Sequence, residues 1–319
     1  MERKTIFFTF KIPEEAEFIL KDHHLIVNEE DRFLTKEEII AGAKNADALV
    51  CLLSDKIDSE IIDSLPNLKV IANYAVGYNN IDLSAAKEKN IYVTNTPDAL
   101  TDATADITIG LLLAVSRRIV EGDKFVRKGK FEGWKPQLLV GRSIKDKTLG
   151  IIGLGRIGKA VAKRAQAFGM NVIYFNRMPL DKETEKKLNV EYSSLEKLLK
   201  ESDVISLHCP LNKGSEHLLN ERRLKMLKKN CILINTARGA IIEEDALIRL
   251  LKTGAIFGAG FDVYENEPEV PEELKKLENV VLLPHLGSAN DETRKQMSFM
   301  VGRNIKIALE GKKPPNNVY

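Results

Sequence analysis

Short apolar runs alternate with amphipathic stretches along most of this chain. In the first third, Thr5–Phe10, Ala48–Leu53, Val70–Asn73 and Ile91–Asn95 read as strands, and Pro13–Leu20, Asp58–Leu65 and Ile81–Lys89 as helices. Strands separated by helices imply parallel βαβ units, not hairpins. The rhythm changes over residues 99–146, where a long helical pattern through Ala105–Val120 leads into a polar arm, Lys124–Gly133, and the only tryptophan, Trp134. It restarts with Leu149–Gly153 and continues through Val172–Phe175, Val204–His208, Cys231–Asn235, Phe257–Asp262 and Val280–Leu283. With intervening helices such as Ile157–Phe168 and Glu243–Lys252, these six strands suit a dinucleotide-binding sheet. A last amphipathic helix is predicted over Glu292–Leu309. The fold class expected is therefore α/β, with two doubly wound parallel sheets and boundaries near residues 98 and 287.

Composition narrows the classes. Of 319 residues, 44% are apolar and 29% charged, and the net charge is +2, so no global field favours nucleic acid or an anionic membrane. Charges mix within helical stretches such as Asp181–Lys187, and the basic run Lys225–Lys229 is interrupted by Met226 and Leu227. Three cysteines, Cys51, Cys209 and Cys231, stand far apart in apolar runs. That spacing suits neither zinc nor a disulfide framework, so a reduced, cytoplasmic, metal-free protein is expected. The start, Met1-Glu-Arg-Lys4, reads straight into a strand without a signal-peptide pattern, so none is expected. The longest uncharged apolar run, Ile107–Ser116, has ten residues, too few to span a bilayer.

Candidate chemistry begins at Gly153-Leu154-Gly155-Arg156-Ile157-Gly158, which follows an apolar strand and opens a helix with Val161, Ala162 and Ala165 on one face. In such a turn the first glycine allows the bend, the second lets the backbone approach a pyrophosphate, and the third permits close helix packing. The helix N-terminus offers N–H groups to the phosphates. An NAD site commonly ends its second strand in Asp or Glu for the ribose 2′-hydroxyl. Here the strand ends in Asn176-Arg177, an amide and a guanidinium that accommodate a 2′-phosphate. NADP(H) is expected, with NAD(H) as the alternative if Arg177 only faces solvent.

Three further residues each follow an apolar run: Arg238, Glu267 and His285. If those runs are neighbouring parallel strands, a guanidinium, a carboxylate and an imidazole converge at the carboxyl edge of one sheet, where such sheets hold ligands. Reducing a 2-oxo acid needs a cation for the carboxylate, which Arg238 supplies as a planar fork of donors. It also needs a proton for the carbonyl oxygen, the role of His285, and Glu267 would hold that ring and favour its charged form. Taken singly, Arg238 reads as a loop cation beside a turn glycine, Glu267 as an acidic turn, and His285 as a cap. His208 ends a strand and is a candidate to line the cofactor, whereas His23, His24 and His217 read as surface residues.

At Gly150-Ile-Ile-Gly-Leu-Gly-Arg-Ile-Gly158, His208-Cys-Pro-Leu211, Ile234-Asn-Thr-Ala-Arg-Gly239, Phe261-Asp-Val-Tyr-Glu-Asn-Glu-Pro268 and Leu283-Pro-His-Leu-Gly-Ser288, the chain resembles the D-isomer-specific 2-hydroxyacid dehydrogenases over nearly its whole length. The resemblance implies a Rossmann domain, 99–287, inserted into a flavodoxin-like substrate domain, 1–98 with 288–319. It also implies a cleft between them and a homodimer formed through the cofactor domain and its 99–146 extension. Arg238 is implied as the substrate arginine, His285 as acid/base and Glu267 as its partner. Asp262 and the Thr236-Ala237 backbone are implied at the nicotinamide, Cys209-Pro210 at the adenosine, and Thr104 and Gly287 elsewhere along the cofactor. Tyr74-Ala-Val-Gly-Tyr-Asn-Asn-Ile-Asp82 resembles a loop whose Val76 and Gly77 amides bind the substrate carboxylate. The Asn212-Lys-Gly214 turn departs from the threonine-rich pattern of many relatives.

Cys51-Leu-Leu-Ser-Asp55, Thr96-Pro-Asp-Ala-Leu-Thr-Asp102 and Trp134-Lys-Pro136 resemble the glyoxylate/hydroxypyruvate reductase branch, with Leu53 and Trp134 placed at the substrate. Phosphoglycerate-type relatives carry basic residues where this chain has Leu52-Leu53-Ser54. The expected activity is reduction of glyoxylate and hydroxypyruvate to glycolate and D-glycerate. A D-lactate-like or phosphoglycerate-type dehydrogenase is the alternative. A dinucleotide-gated, corepressor-like binding protein is the alternative from another class.

Overall fold

In the computed structural model, which describes residues 2–319, strand after strand pairs in parallel, the arrangement that βαβ alternation produces. Two units divide the chain: one runs to Leu100 and resumes at Ser288, and the other is Thr101–Gly287.

The first unit contains β1 (Thr5–Phe8), α1 (Glu15–Leu20), β2 (His24–Val27), α2 (Lys36–Ala43), β3 (Ala48–Cys51), α3 (Ser59–Asp63), β4 (Val70–Asn73), α4 (Leu83–Glu88) and β5 (Tyr92–Thr94). Its sheet order is β2-β1-β3-β4-β5, the flavodoxin-like order. The inner strands β3 and β4 are buried at every position, so they read as continuous apolar runs with no alternation. Strand β2 and helix α2 went undetected in the sequence; β2 is a four-residue edge strand whose positions alternate between exposed and half-buried. The carboxyl-terminal helix α13 (Asp291–Leu309) returns to this unit. Asn290 caps it by accepting the Thr293 N–H, and Met297, Val301 and Ile305, four residues apart, form its buried face. Gly302 lets α13 lie against α1, since a Cβ there would stand 2.9 Å from the Ala16 Cα.

The second unit opens with α5 (Thr101–Ser116) and α6 (Ile119–Arg127), and continues with β6 (Thr148–Ile152), α7 (Arg156–Ala167), β7 (Asn171–Phe175), α8 (Lys182–Leu188), β8 (Glu191–Tyr192), α9 (Leu195–Glu201), β9 (Val204–Leu207), α10 (Glu221–Leu224), β10 (Ile232–Asn235), α11 (Glu244–Lys252), β11 (Gly258–Phe261), α12 (Glu272–Lys275) and β12 (Val280–Leu282). The order β12-β11-β10-β9-β6-β7-β8 is the dinucleotide-binding order extended by one strand. The two-residue edge strand β8 has no sequence signature.

One expectation fails outright. The pattern over Ala105–Val120 is not one helix: it breaks at Arg118, whose backbone is left-handed (φ 53°), and the arm from Lys124 starts as the last turn of α6. The cause is a chain crossing. Arg142 donates its N–H to the Ser116 carbonyl at 2.7 Å, taking the acceptor that a continuing helix would need. Sheet and helices bury two large clusters, one on each face. Each fully buried Leu or Ile there contributes about 1.5–3 kcal/mol of transfer free energy. That packing gives the carboxyl edge of the sheet a rigid base. Among the described residues, no helix is long and apolar enough to cross a membrane.

Candidate active site

Three neighbouring strands, β10, β11 and β12, each release a loop at their carboxyl ends, and these loops carry Arg238, Glu267 and His285. The Glu267 carboxylate lies 2.9 Å from His285 through Oε2 and Nδ1, and its Oε1 accepts the Tyr264 N–H at 3.0 Å. Burial pushes the Glu267 carboxyl up, but the His285 bond and charge, the Tyr264 N–H and the Arg238 charge together hold it below the usual carboxylate range. The Arg238 guanidinium is pushed down by burial and held up by Glu267, and it donates to the Ala237 carbonyl at 2.6 Å. It remains a cation, because a guanidinium ordinarily titrates far above neutrality. The side chains of His285 and Glu267 are 28% and 30% exposed, so a ligand can reach them while water is partly excluded.

Buried side chains fix each loop. Asp262, at the end of β11, accepts the Leu286 and Gly287 N–H groups through its two oxygens at 2.6 and 2.7 Å. Thr104 on α5 donates to the Gly287 carbonyl at 2.9 Å. These bonds hold His285 in the left-handed region (φ 56°), a conformation that costs a non-glycine residue about 1 kcal/mol or more. Burial raises the Asp262 carboxyl first; the two N–H groups and the His285 charge pull it back only in part. Asn235, fully buried at the end of β10, accepts the Ala237 N–H and donates to the Arg238 carbonyl, folding the 236–238 turn. Thr236 is hydrogen-bonded to Thr108 through the hydroxyls. At Gly239 a Cβ would stand 1.8 Å from the Tyr264 carbonyl carbon, so only glycine lets the arginine and glutamate loops touch.

The glycine turn has the features of a phosphate cradle. Gly153 takes φ 98° against the His208–Cys209 backbone, where a Cβ would approach to 2.5 Å. Nothing lies within 4 Å of a Cβ built at Gly155, and no side chain caps α7, leaving a twelve-residue helix with open N-terminal N–H groups. These observations fit a dinucleotide pyrophosphate. Leu154 is buried, Arg156 exposed and Ile157 half-buried. Asn176 accepts the Leu154 N–H through Oδ1 at 2.7 Å, while Arg177 is exposed. Cys209 is half-buried, its thiol pushed by burial up to about 11, and Pro210 is exposed. Burial drives His208 down to about 3, and it pairs with Ser206 at 2.8 Å, so it is a neutral ring at physiological pH.

Within the first unit, Leu53 stands half-buried in a turn that Asp55 closes by accepting the Leu52 N–H and the Thr9 hydroxyl. Asn80 donates to the carbonyls of Leu52 and Asp55, tying this turn to the loop after β4. In that loop Asn95 donates to the Val76 carbonyl at 2.8 Å and Asn73 to the Gly77 carbonyl at 2.7 Å. With both carbonyls drawn inward, the Val76 and Gly77 amides are left as donors. Trp134, in the second unit, is 84% exposed.

Sequence reasoning missed Asn73, Asn95, Asn235 and Tyr264 as functional supports. The available signal was positional: a polar side chain at the carboxyl end of an apolar run. Among the described residues, no group of three or more His, Cys, Asp or Glu side chains is placed to hold a metal ion.

A family model described as "D-isomer specific 2-hydroxyacid dehydrogenase, NAD binding domain" matches residues 109–287. The chain is 49% identical over 318 residues to a glyoxylate reductase of Thermococcus litoralis, covering 98% of this chain and 96% of that one. It is 47% identical to a glyoxylate reductase of Pyrococcus horikoshii, covering 98% and 95%. A solved NADPH-dependent glyoxylate/hydroxypyruvate reductase of Sinorhizobium meliloti, in complex with NADP and malonate, superposes with a TM-score of 0.89 at 34% identity, covering 99% and 97%.

Proposed function

Because this chain belongs to the D-isomer-specific 2-hydroxyacid dehydrogenase family, and is thus an NAD(P)-dependent oxidoreductase of small 2-oxo acids, we propose that it reduces glyoxylate and hydroxypyruvate, with NADPH preferred. The observation that carries this reading is the Glu267–His285 pair beside Arg238, placed by adjacent strands in the unit that holds the glycine turn.

The bound reduced nicotinamide supplies the hydride. Arg238 presents its guanidinium to the substrate carboxylate, with the Val76 and Gly77 amides as further donors. His285 delivers a proton to the carbonyl oxygen through Nε2, because Nδ1 faces Glu267. Glu267 holds the ring in that orientation and balances its charge in both reaction directions. The cofactor set comprises Gly153, Leu154, Gly155, Arg156, Ile157 and Gly158 for the pyrophosphate and Asn176 and Arg177 for the ribose. Thr236, Ala237 and Asp262 serve the nicotinamide, Cys209 and Pro210 the adenosine, and Thr104 and Gly287 complete the set. Support for NADPH comes from a second strand ending in Phe175-Asn176-Arg177 without a carboxylate. Apolar Leu53 supports small uncharged substituents over a phosphate. A homodimer through the 99–146 segment and a cytoplasmic location complete the reading.

The test is a panel of 2-oxo acids with each cofactor. Glyoxylate or hydroxypyruvate should lead with NADPH, and pyruvate ranking above both would overturn the substrate assignment. His285→Ala should lower kcat by about 10²–10⁴-fold while NADPH binding stays within about twofold of wild type. An equal loss of cofactor binding would refute the acid/base role.

A further inference from the structure

A buried tyrosine lies under the loop after β7. Tyr174, on that strand, is fully buried, and a buried phenol needs partners for its hydroxyl. It has two. The hydroxyl donates to Glu185 Oε1 at 2.8 Å and accepts the Leu180 N–H at 2.7 Å. Glu185 on α8 is 5% exposed and pairs through its other oxygen with Lys182 at 2.7 Å. That bond and the Tyr174 hydroxyl hold the Glu185 carboxyl low, and burial raises the phenol to about 12, so donor and acceptor keep their roles across the physiological range.

The consequence lies in the loop between. Its near end is tied to the glycine turn, where Asn176 accepts the Leu154 N–H. Its far end is tied to the core at Leu180. Only Arg177, Met178 and Pro179 remain between the two anchors, and Arg177 and Met178 are exposed. The nearest following acid, Asp181, is turned toward α8, accepting the Thr184 N–H and hydroxyl at 2.8 and 2.7 Å, so its carboxylate is engaged in capping. A short arch with fixed ends presents its cation with less freedom to lose on binding. A buried carboxylate is a costly way to hold a surface loop unless the shape of that loop matters.

We propose that Tyr174 and Glu185 form a clamp that presets the arch carrying Arg177, making Tyr174 a positioning residue for recognition of a phosphate on the adenosine ribose. This rests on the reading of Arg177 as the 2′-phosphate ligand. Tyr174 touches no cofactor and acts through the arch alone.

The experiment measures Kd for NADPH and NADH on ligand-free enzyme, by nicotinamide fluorescence, for wild type, Arg177→Ala, Tyr174→Phe and the double variant. Arg177→Ala should weaken NADPH by about tenfold or more and leave NADH within about twofold. Tyr174→Phe should weaken NADPH by about three- to tenfold with NADH again within about twofold, and should add nothing in the Arg177→Ala background. Equal weakening of both cofactors by Tyr174→Phe, or a full additional loss in the double variant, refutes the clamp. An unchanged NADPH Kd in Tyr174→Phe, with Arg177→Ala impaired, refutes it while leaving the arginine reading intact. No effect of Arg177→Ala overturns that reading and the clamp with it. If Tyr174→Phe fails to fold, Glu185→Leu removes the acceptor beneath the hydroxyl, and the same outcomes decide.

Discussion

Glu267 shows how one carboxylate can serve chemistry and stability together. It ionises at lower pH in the folded protein than in the unfolded chain, because the gains from His285, Tyr264 and Arg238 exceed the cost of burial. Folding therefore favours the deprotonated form. The stability this contributes is complete above the unfolded value of about 4.3 and is lost as pH falls through the lower folded value. Glu267→Gln should flatten the dependence of Tm on pH between about 5 and 3. A variant whose Tm falls with acid as steeply as wild type would show that other carboxylates dominate. The same substitution removes the charge behind His285, so kcat should fall by about tenfold or more with NADPH Kd unchanged. A KM effect alone would place Glu267 in substrate binding and not behind the acid.

At the level of elements, a pattern recurs at the carboxyl ends of the parallel strands. Asn28 after β2, Asn73 on β4, Asn95 after β5, Asn176 after β7 and Asn235 on β10 each bond to the backbone of a loop at that edge. An amide has both donor and acceptor, so it can fold an irregular loop that strands and helices leave unpaired. The strands themselves were legible because doubly buried strands are continuous apolar runs, as at Val70–Asn73, where the predicted and observed limits coincide. The glycine turn and the three charged loop residues were legible by position. The edge strands β2 and β8 were not, since half their side chains face water, and neither was the break at Arg118, which a crossing segment over twenty residues distant imposes. The asparagines stayed hidden because their effect depends on which carbonyl lies within reach, a three-dimensional fact. Asn95→Leu keeps the branched shape and removes the donor to Val76, so KM for glyoxylate should rise roughly tenfold, the equivalent of one lost hydrogen bond of about 1.4 kcal/mol. Turnover at saturation and NADPH Kd should not change. A fall in kcat without a change in KM would mean that the Val76–Gly77 amides do not hold the carboxylate.

For the molecule as a whole, the distribution of exposed apolar side chains decides how many copies work together. Among the described residues, twelve large apolar side chains are exposed, and Ile119, Val126, Phe131, Trp134 and Val140 fall within one short segment. Scattered apolar residues need no explanation, but a concentration of this kind marks an interaction site. Helix α6 adds to the case: none of its residues is buried, yet Ile119 and Val126, seven positions apart, share one face. Val120 packs against the core, but Ile119 and Val126 stay exposed and gain from another surface, and a second copy supplies an identical one. The protein should therefore sediment at twice 35.8 kDa. The double variant Val126→Glu/Phe131→Glu places two carboxylates in that contact and should sediment as a monomer at micromolar concentration. Its NADPH Kd should remain that of wild type, because the glycine turn and the Arg177 arch lie on other elements. A wild-type mass of 35.8 kDa would remove the dimer from the reading. A charged variant that stays dimeric would move the interface elsewhere and leave Trp134 to be explained within a single subunit.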